Sequence, residues 1–479
     1  MGFLSAIKTY NKSFWASNVI ELFERWAWYG FYLAFPIFLV NSTDTGALGF
    51  SHAQKGVIMG TGSMLLYFLP VITGAIADRL GYKRILLLAF AIYASGFYMI
   101  SIFDSYGLMF FAFVWTCVGG AFFKPIISAM ISKTTTEETS SIGFGIFYMM
   151  INIGGFIGPF LAGALLKTSW TYVFYMAIMA IGVNVLITLL FFKEPVKKEK
   201  GVASLVQSIG QAFVNIYITL KNGKYVLFLI IMILFWTAFN QLYYSFPIFI
   251  DQWIDTRAVY NGLHSIWPWL AEAIGDNGTI NAVTMTSMDS FYIIVFQLMV
   301  STIAMRFKPL AAMMGGILVL SGGLGLMFSN QSGWLILLGV LIFALGEMAS
   351  SPKFTEYVGS IAPADQKALY MGTSFLPIAA GHQLAGILSG DIYERISDKI
   401  FLLKKEVAKQ GLNIPEISET FTKNDYWNEA ASKMGMNEIE LTNYLWQTYH
   451  PSNIWMVYSG VAVSAVIFLW LYDRFVLGK

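Results

Sequence analysis

The sequence predicts an all-α polytopic membrane protein of twelve spans, and three observations carry that prediction. Hydrophobic residues make up 57% of the 479, charged residues 12%, and the mean hydropathy is +0.62. That charged share is about half of what a soluble domain carries. The apolar residues also gather into runs of roughly 20, the length that crosses a bilayer as a helix. Other classes fall away on the same numbers. A net charge of +2 without a basic cluster excludes a nucleic-acid binder. The single cysteine, Cys117, excludes an internal disulfide. His52, His264, His382 and His450 are scattered without metal-ligand spacing, so no metal is expected. No nucleophile or phosphate-loop motif is present, and the chain is not read as an enzyme.

The runs are 14–40, 54–77, 83–103, 106–132, 140–166, 170–192, 224–250, 284–305, 309–328, 332–353, 367–393 and 453–475. The first is too long and too charged for a signal peptide, so it reads as span one. Twelve spans put both termini on one side. Lys8, Lys12, Arg79, Lys83, Arg84, Lys133, Lys193, Lys197, Lys198, Lys200, Lys221, Lys224, Arg306, Lys308, Arg474 and Lys479 share that side. The opposite short loops (41–53, 104–106 and 329–331) lack such residues, so both termini are expected in the cytoplasm, in a bacterial inner membrane. Residues 1–192 are expected as an N-terminal six-helix bundle and 224–479 as a C-terminal one. Between them, 193–223 opens Lys-rich and continues as SLVQSIGQAFVNIYITL, apolar at helical spacing. It is expected as an amphipathic helix in the interface. On the outside, 251–283 and 395–451 are long loops, the second ending in a predicted helix, EIELTNYLWQTYH.

Between spans two and three the chain reads Gly74-Ala-Ile-Ala-Asp78-Arg79-Leu-Gly81-Tyr82-Lys83-Arg84. Glycines permit a tight turn. A carboxylate at a helix end can hold cations or a neighbouring helix N-terminus in one conformation and release them in another. The segment resembles the signature between helices two and three of the major facilitator superfamily, which implies a conformational latch.

Span one carries Glu21-Leu-Phe-Glu24-Arg25-Trp26-Ala-Trp28-Tyr29-Gly30. Residues 21, 24, 25 and 28 share a helical face. Each charge costs ~2.5–3.5 kcal/mol at mid-membrane, so the three persist only against one another and a wet cavity. The segment resembles the E-x-x-E-R-F-x-Y-Y motif of the proton-dependent oligopeptide transporter family, with Trp26 and Trp28 at two aromatic positions. Gly119-Gly120-Ala-Phe-Phe-Lys124-Pro125 resembles the family's helix four with its buried lysine. Phe147-Tyr148-Met-Met-Ile-Asn152-Ile-Gly154 is similar to its helix-five signature, with Gly155 where serine is usual. Gly346-Glu347-Met-Ala-Ser-Ser351-Pro352 is similar to helix ten, Tyr67 to a helix-two pocket tyrosine, and Trp236 with Gln241 to helix seven.

The resemblance implies that Arg25 and Lys124 form a cationic patch for a substrate carboxylate and Glu347 meets a substrate ammonium. Tyr29, Tyr67, Asn152, Trp236, Asn240, Gln241 and Ser351 would complete the substrate site. Glu21, Glu24, Arg25 and Lys124 would couple protons, since protonating a carboxylate frees its cationic partner. The implied function is proton-coupled import of small peptides or peptide-like zwitterions by alternating access. It needs the bilayer and a proton gradient but no cofactor, and a monomer is expected. Three departures stand out. Asn240 occupies an often acidic position, Ser374 replaces a pocket tryptophan, and only the linker stands where bacterial members have two extra helices. A second pattern, Gly145, Gly154, Gly158, Pro159, Ala162 and Gly163, resembles helix five of proton-antiporting drug exporters. Export of amphipathic compounds is therefore the alternative, with a non-transporting receptor as the third. Asp289, Gln297 and His382 are weaker cavity candidates, and Lys353 with Glu356 is similar to a cytoplasmic-side ion pair.

Overall fold

The computed structural model describes residues 7–136, 138–194, 205–327, 330–363 and 365–478. Lys197, Lys198, Lys200 and Lys479, which enter the charge argument, lie outside the described residues, as does the start of the linker. Span one is α1 (Lys12–Val40), begun by the Asn11 side chain accepting from the Phe14 N–H. Span two is a pair, α2 (His52–Phe68) and α3 (Pro70–Leu80), bent by 47° where Pro70 removes an N–H from the ladder. A reciprocal Ser51–Gln54 capping box starts it. Then follow α4 (Tyr82–Ile102), α5 (Tyr106–Thr134), α6 (Ser140–Leu166) and α7 (Trp170–Leu190). The linker contains α8 (Leu205–Leu220), which exposes Phe213, Val214, Tyr217 and Ile218.

Span seven is α9 (Gly223–Phe239), broken at Asn240 and continued as α10 (Gln241–Tyr244) and α11 (Phe246–Trp253). The segment read as an outer loop at 251–283 holds α12 (Arg257–Ile266), α13 (Pro268–Ile274) and a two-residue-per-strand hairpin, Gly275–Asp276 with Thr279–Ile280. Spans eight to ten are α14 (Ala282–Ala304), α15 (Pro309–Leu326) and α16 (Gly333–Ile361). Span eleven is α17 (Lys367–Thr373) and α18 (Leu376–Ile387), kinked again at Gly390. The 395–451 segment folds into short helices: α19 (Tyr393–Ser397), α20 (Lys399–Lys409), α21 (Lys423–Met434) and α22 (Glu438–Tyr449). The last matches the predicted one. Span twelve is α23 (Asn453–Leu471).

Nine of these segments have the length and apolarity of a span, and the α2–α3 pair makes a tenth. The other two are α1, with its intramembrane charges, and the broken α17–α18. Apolar side chains point outward along them, Leu298 at 85% exposure and Met179 at 69%, as a lipid-facing surface requires.

Helix α1 packs on α6 and α7, and α4 on α5 and α7. In the second half α16 packs on α14 and α15, and α9 on α18 and α23. The halves meet along two seams, α2 against α18 and α6 against α14. Each seam is built on glycine. A Cβ at Gly56 would collide with the Gly386 carbonyl, and one at Gly163 with the Thr284 hydroxyl. Only residues without side chains let the α2 and α18 backbones touch, and at Gly163 the missing side chain leaves room for those of Thr284 and Asn281.

Candidate functional site

The site begins with helix α1. Gly154 and Gly158 let α6 approach so closely that a Cβ at either would strike the carbonyl of Leu22 or Trp26. These are two of the glycines in the exporter-like pattern, and here they form a packing face for the charged turn of α1. Within that turn Arg25 Nε lies 2.6 Å from Glu24 Oε2 and 3.1 Å from Glu21 Oε1. The Glu24 contact is an ion pair without hydrogen-bond alignment. Tyr93 on α4 donates to Glu24 Oε1 at 2.6 Å. All three charged side chains are buried. Lys124 on α5 is half-buried, its Nζ 4.1 Å from the centre of the Tyr67 ring and within electrostatic reach of Glu21. The structure thus brings Glu21, Glu24, Arg25 and Lys124 into one neighbourhood.

Beside this cluster lies a cavity of about 200 Å³ between the halves. Of the residues singled out in the sequence, Trp28, Tyr29, Tyr67, Tyr148, Trp236, Asn240, Glu347, Ser351 and His382 line it. Tyr32, Ser63, Leu66, Phe239, Tyr243 and Ile378 complete the wall. Arg25, Lys124, Asn152 and Gln241 do not line it, and neither does Asp289. Asn152 donates to the Tyr148 carbonyl of its own helix at 2.8 Å. Gln241 follows Trp236 by five residues, about 140° around a helix, and its side chain meets α18 instead of the cavity. Its amide reaches Thr237 and Ala385 carbonyls, and its oxygen accepts from Ser245 at 2.7 Å. Four polar atoms of the wall are buried without a partner: Trp236 Nε1, Asn240 Nδ2, Glu347 Oε2 and Ser351 Oγ. Buried polar atoms left open are costly, which makes them the natural contacts of a ligand. His382 stacks on Tyr67 with ring centres 4.9 Å apart and pairs through Nδ1 with the Tyr244 hydroxyl at 3.1 Å.

The cavity is tied shut toward the face bearing 41–51, 251–283 and 395–451. Lys55 on α2, fully buried, donates to the Tyr244 carbonyl at 3.1 Å and the Ser389 carbonyl at 2.7 Å, both in the other half. His52 Nε2 meets Asp398 Oδ1 at 2.8 Å, and Gln252 donates to the same oxygen at 2.9 Å. Lys423 on α21 reaches the Val40 and Phe50 carbonyls, and Asn41 donates to Asp251. Burial alone would raise the Asp398 carboxyl, but the neighbouring His52 and Lys423 outweigh it and hold it well below the usual carboxylate range. Sequence reading missed all of these ties. A lysine or histidine at the end of a span looks like an ordinary interfacial residue.

On the far side, the latch segment forms a linked set. Tyr82 donates to Asp78 Oδ1 at 2.5 Å and receives Lys133 Nζ at 2.7 Å. The carboxylate on the α4 N-terminus is Glu194, which accepts from the N–H groups of Tyr82 and Lys83 at 2.6 and 2.9 Å. Sequence reading gave that part to Asp78. Gly81, at φ +98°, makes the turn that brings them together, and Gly74 packs on Pro125. Lys83 Nζ reaches the Leu189 and Phe192 carbonyls, while Arg79 and Arg84 are exposed. Lys353 and Glu356 pair at 2.7 Å.

Comparison with known proteins agrees with this architecture. A peptide transporter of Yersinia enterocolitica is 24% identical, covering 78% of this chain and 86% of its own. Dipeptide and tripeptide permease B of Xenorhabdus bovienii is 24% identical over 78% and 86%. A Na⁺, Li⁺, K⁺/H⁺ antiporter of Planococcus maritimus is 23% identical over 80% and 89%. Among solved structures, a POT family transporter in complex with 5-aminolevulinic acid superimposes with a TM-score of 0.70 at 16% identity, over 98% of this chain and 99% of that one. A nucleoside transporter gives 0.69 at 14%, over 96% and 100%. These relatives are transporters and not enzymes. The Major Facilitator Superfamily model matches residues 19–381, about three-quarters of the sequence. The chain belongs to the Major Facilitator Superfamily.

Proposed function

We propose that this protein is a proton-coupled symporter that imports small peptides or peptide-like zwitterions by alternating access. The membrane is the bacterial inner membrane, with both termini cytoplasmic and the 395–451 face outside. One observation carries the reading: the Glu21–Glu24–Arg25 cluster lies inside span one beside a cavity whose opposite wall presents the unpartnered Glu347 carboxylate. The helix-one and helix-five motifs and the peptide-transporting relatives supply the substrate class. A proton reaching Glu21 or Glu24 loosens the hold on Arg25, while a substrate ammonium reaching Glu347 fills the empty partner position. Both events act at the boundary between halves, where the glycine seams let two packings interconvert. The two sequence halves act as the two rocking bundles, and the protein works as a monomer.

The test is uptake of di- and tripeptides into proteoliposomes under an inward proton gradient. Wild type is expected to accumulate peptide, and Arg25→Ala and Glu347→Gln are each expected to abolish accumulation. Absence of peptide flux in wild type, with proton movement on adding an amphipathic drug instead, would contradict import and put the exporter reading in its place.

A further inference from the structure

We infer that the proton carried by the Glu21–Glu24–Arg25 cluster leaves to the cytoplasm along a buried, water-bearing seam between α1 and α7, separate from the cavity that holds substrate. The inference rests on the proton-coupled reading above and adds a route to it.

Register draws the seam. The Asn184 side chain on α7 donates to the Ile20 carbonyl of α1 at 3.0 Å. Just past the end of α7, the Lys193 N–H donates to Ser13 Oγ at 3.3 Å. The two helices therefore run antiparallel, and midway between these bonds Thr188 stands opposite Ser17. On α1, Ser13, Ser17, Ile20 and Glu24 follow one another at intervals of four, three and four residues, which keeps them on one face. Asn184 supplies the polar group at the level where that stripe has Ile20. Long helical side chains lean toward the helix N-terminus, so Glu24 leans toward the turn that Asn184 reaches.

Three side chains of the seam are fully buried with an oxygen that meets no partner among the described residues: Ser17 Oγ, Thr188 Oγ1 and Asn184 Oδ1. Buried hydroxyls that merely fill a helix interface bond to their own helix or to each other. Thr116 and Thr237 do so, each donating to the carbonyl four residues back at 2.8 and 2.7 Å. Ser17 and Thr188 do neither. Open buried oxygens are costly, and a water held between two of them answers both. Successive levels of the seam are one helical turn apart, about 5.4 Å, a gap that a single water closes with two hydrogen bonds.

Such a row relays a proton. A proton on Glu24 passes to the water beside Asn184, which gives another proton to the water and hydroxyls at Ser17 and Thr188. From there it reaches Ser13 and the exposed end of the seam at Lys193. Each hop breaks one O–H bond and forms the next, so one proton leaves Glu24 and one enters the cytoplasm. The route follows α1 for ~16 Å. Among the described residues none from α7 lines the cavity, and neither do Ser13, Ser17 or Glu24. Substrate and proton therefore do not compete for one passage.

The experiment separates proton release from substrate movement in proteoliposomes, with L-alanyl-L-alanine as the probe. Accumulation under an inward proton gradient needs the proton released inside. Exchange of labelled for unlabelled peptide at zero gradient does not, because the carrier can return with its proton still bound. Thr188→Val removes the hydroxyl and keeps the shape. It is expected to slow accumulation about a hundredfold while still exchanging peptide. Thr188→Ser is expected to restore accumulation, and Thr116→Val, outside the seam, to accumulate as wild type does. Accumulation by Thr188→Val at the wild-type rate, or loss of accumulation and exchange together, overturns the inference and leaves the peptide reading standing. If wild type exchanges no peptide, the peptide reading falls, and radiolytic footprinting of the full chain in nanodiscs decides the seam alone. Oxidation of the fully buried Ile20 by adjacent water, lost in Thr188→Val, upholds it. An Ile20 left unmodified, or oxidised equally in both, overturns it.

Discussion

Arg25 faces two carboxylates at distances of 3.1 Å or less, and that arrangement decides what single substitutions do. Removing the guanidinium leaves Glu21 and Glu24 buried as like charges with only Tyr93 and the more distant Lys124 to answer them. Breaking a buried pair in this way costs ~3–5 kcal/mol. Arg25→Ala is therefore expected to lower the melting temperature in detergent as well as to stop transport. Arg25→Lys keeps a charge but not a fork able to meet two acceptors, and should fold while remaining impaired. Equal thermal stability of Arg25→Ala and wild type would contradict the ion-cluster account. Asp398 makes a second residue-scale prediction. Its folded carboxyl titrates below its unfolded value, so its contribution is complete above pH ~4 and is lost as pH falls through the folded value. Asp398→Asn should therefore loosen the outer ties at neutral pH. Spin labels at Thr45→Cys and Glu429→Cys should then move apart, and the variant should differ less from wild type in acid. Unchanged label distances at neutral pH would remove Asp398 from the closing contacts.

At the scale of elements, the glycine faces set how near the helices come. Helix α6 rests on α1 through Gly154 and Gly158, directly behind the Glu24–Arg25 turn. A methyl group there must push the two backbones apart, since each collision is with a carbonyl and not with a flexible side chain. Overpacking of this kind costs ~1–3 kcal/mol. Gly158→Ala is expected to destabilise by that amount and to reduce transport, whereas Gly145→Ala, which meets open space, should do neither. Similar melting temperatures for the two variants would refute the close-packing argument. Which parts of these elements the sequence revealed follows from physics. Glu21, Glu24 and Arg25 stood out because charges inside an apolar run demand an explanation. Tyr243 did not, because an aromatic residue in a span reads the same whether it faces lipid, core or cavity. Gln241 entered the site through the resemblance of its helix-seven segment, yet five residues beyond Trp236 it lies about 140° around the helix and bonds to Thr237, Ser245 and Ala385. Glu194 was invisible as the α4 cap because its partners lie more than a hundred residues back in the chain.

For the whole molecule, twelve spans were legible from the apolar runs alone, because the bilayer imposes both length and backbone satisfaction on each. The short helices of 395–451 were less so. Apart from α22 they lack a long periodic signal, yet they tie one half to the other through Asp398 and Lys423. The molecule as described has its halves bound together on that face, so exchange of a substrate there requires those ties and the α2–α18 seam to open together. The energy available is modest. One proton moving through 100 mV supplies ~2.3 kcal/mol, enough for about fiftyfold accumulation. The most direct measurement is therefore of coupling itself. Proteoliposomes loaded with a pH-sensitive dye are given an external dipeptide at zero initial gradient. Wild type is expected to acidify internally as peptide enters, and Glu347→Gln is expected to show no acidification. Peptide entry without acidification, or acidification that persists in Glu347→Gln, would contradict such coupling.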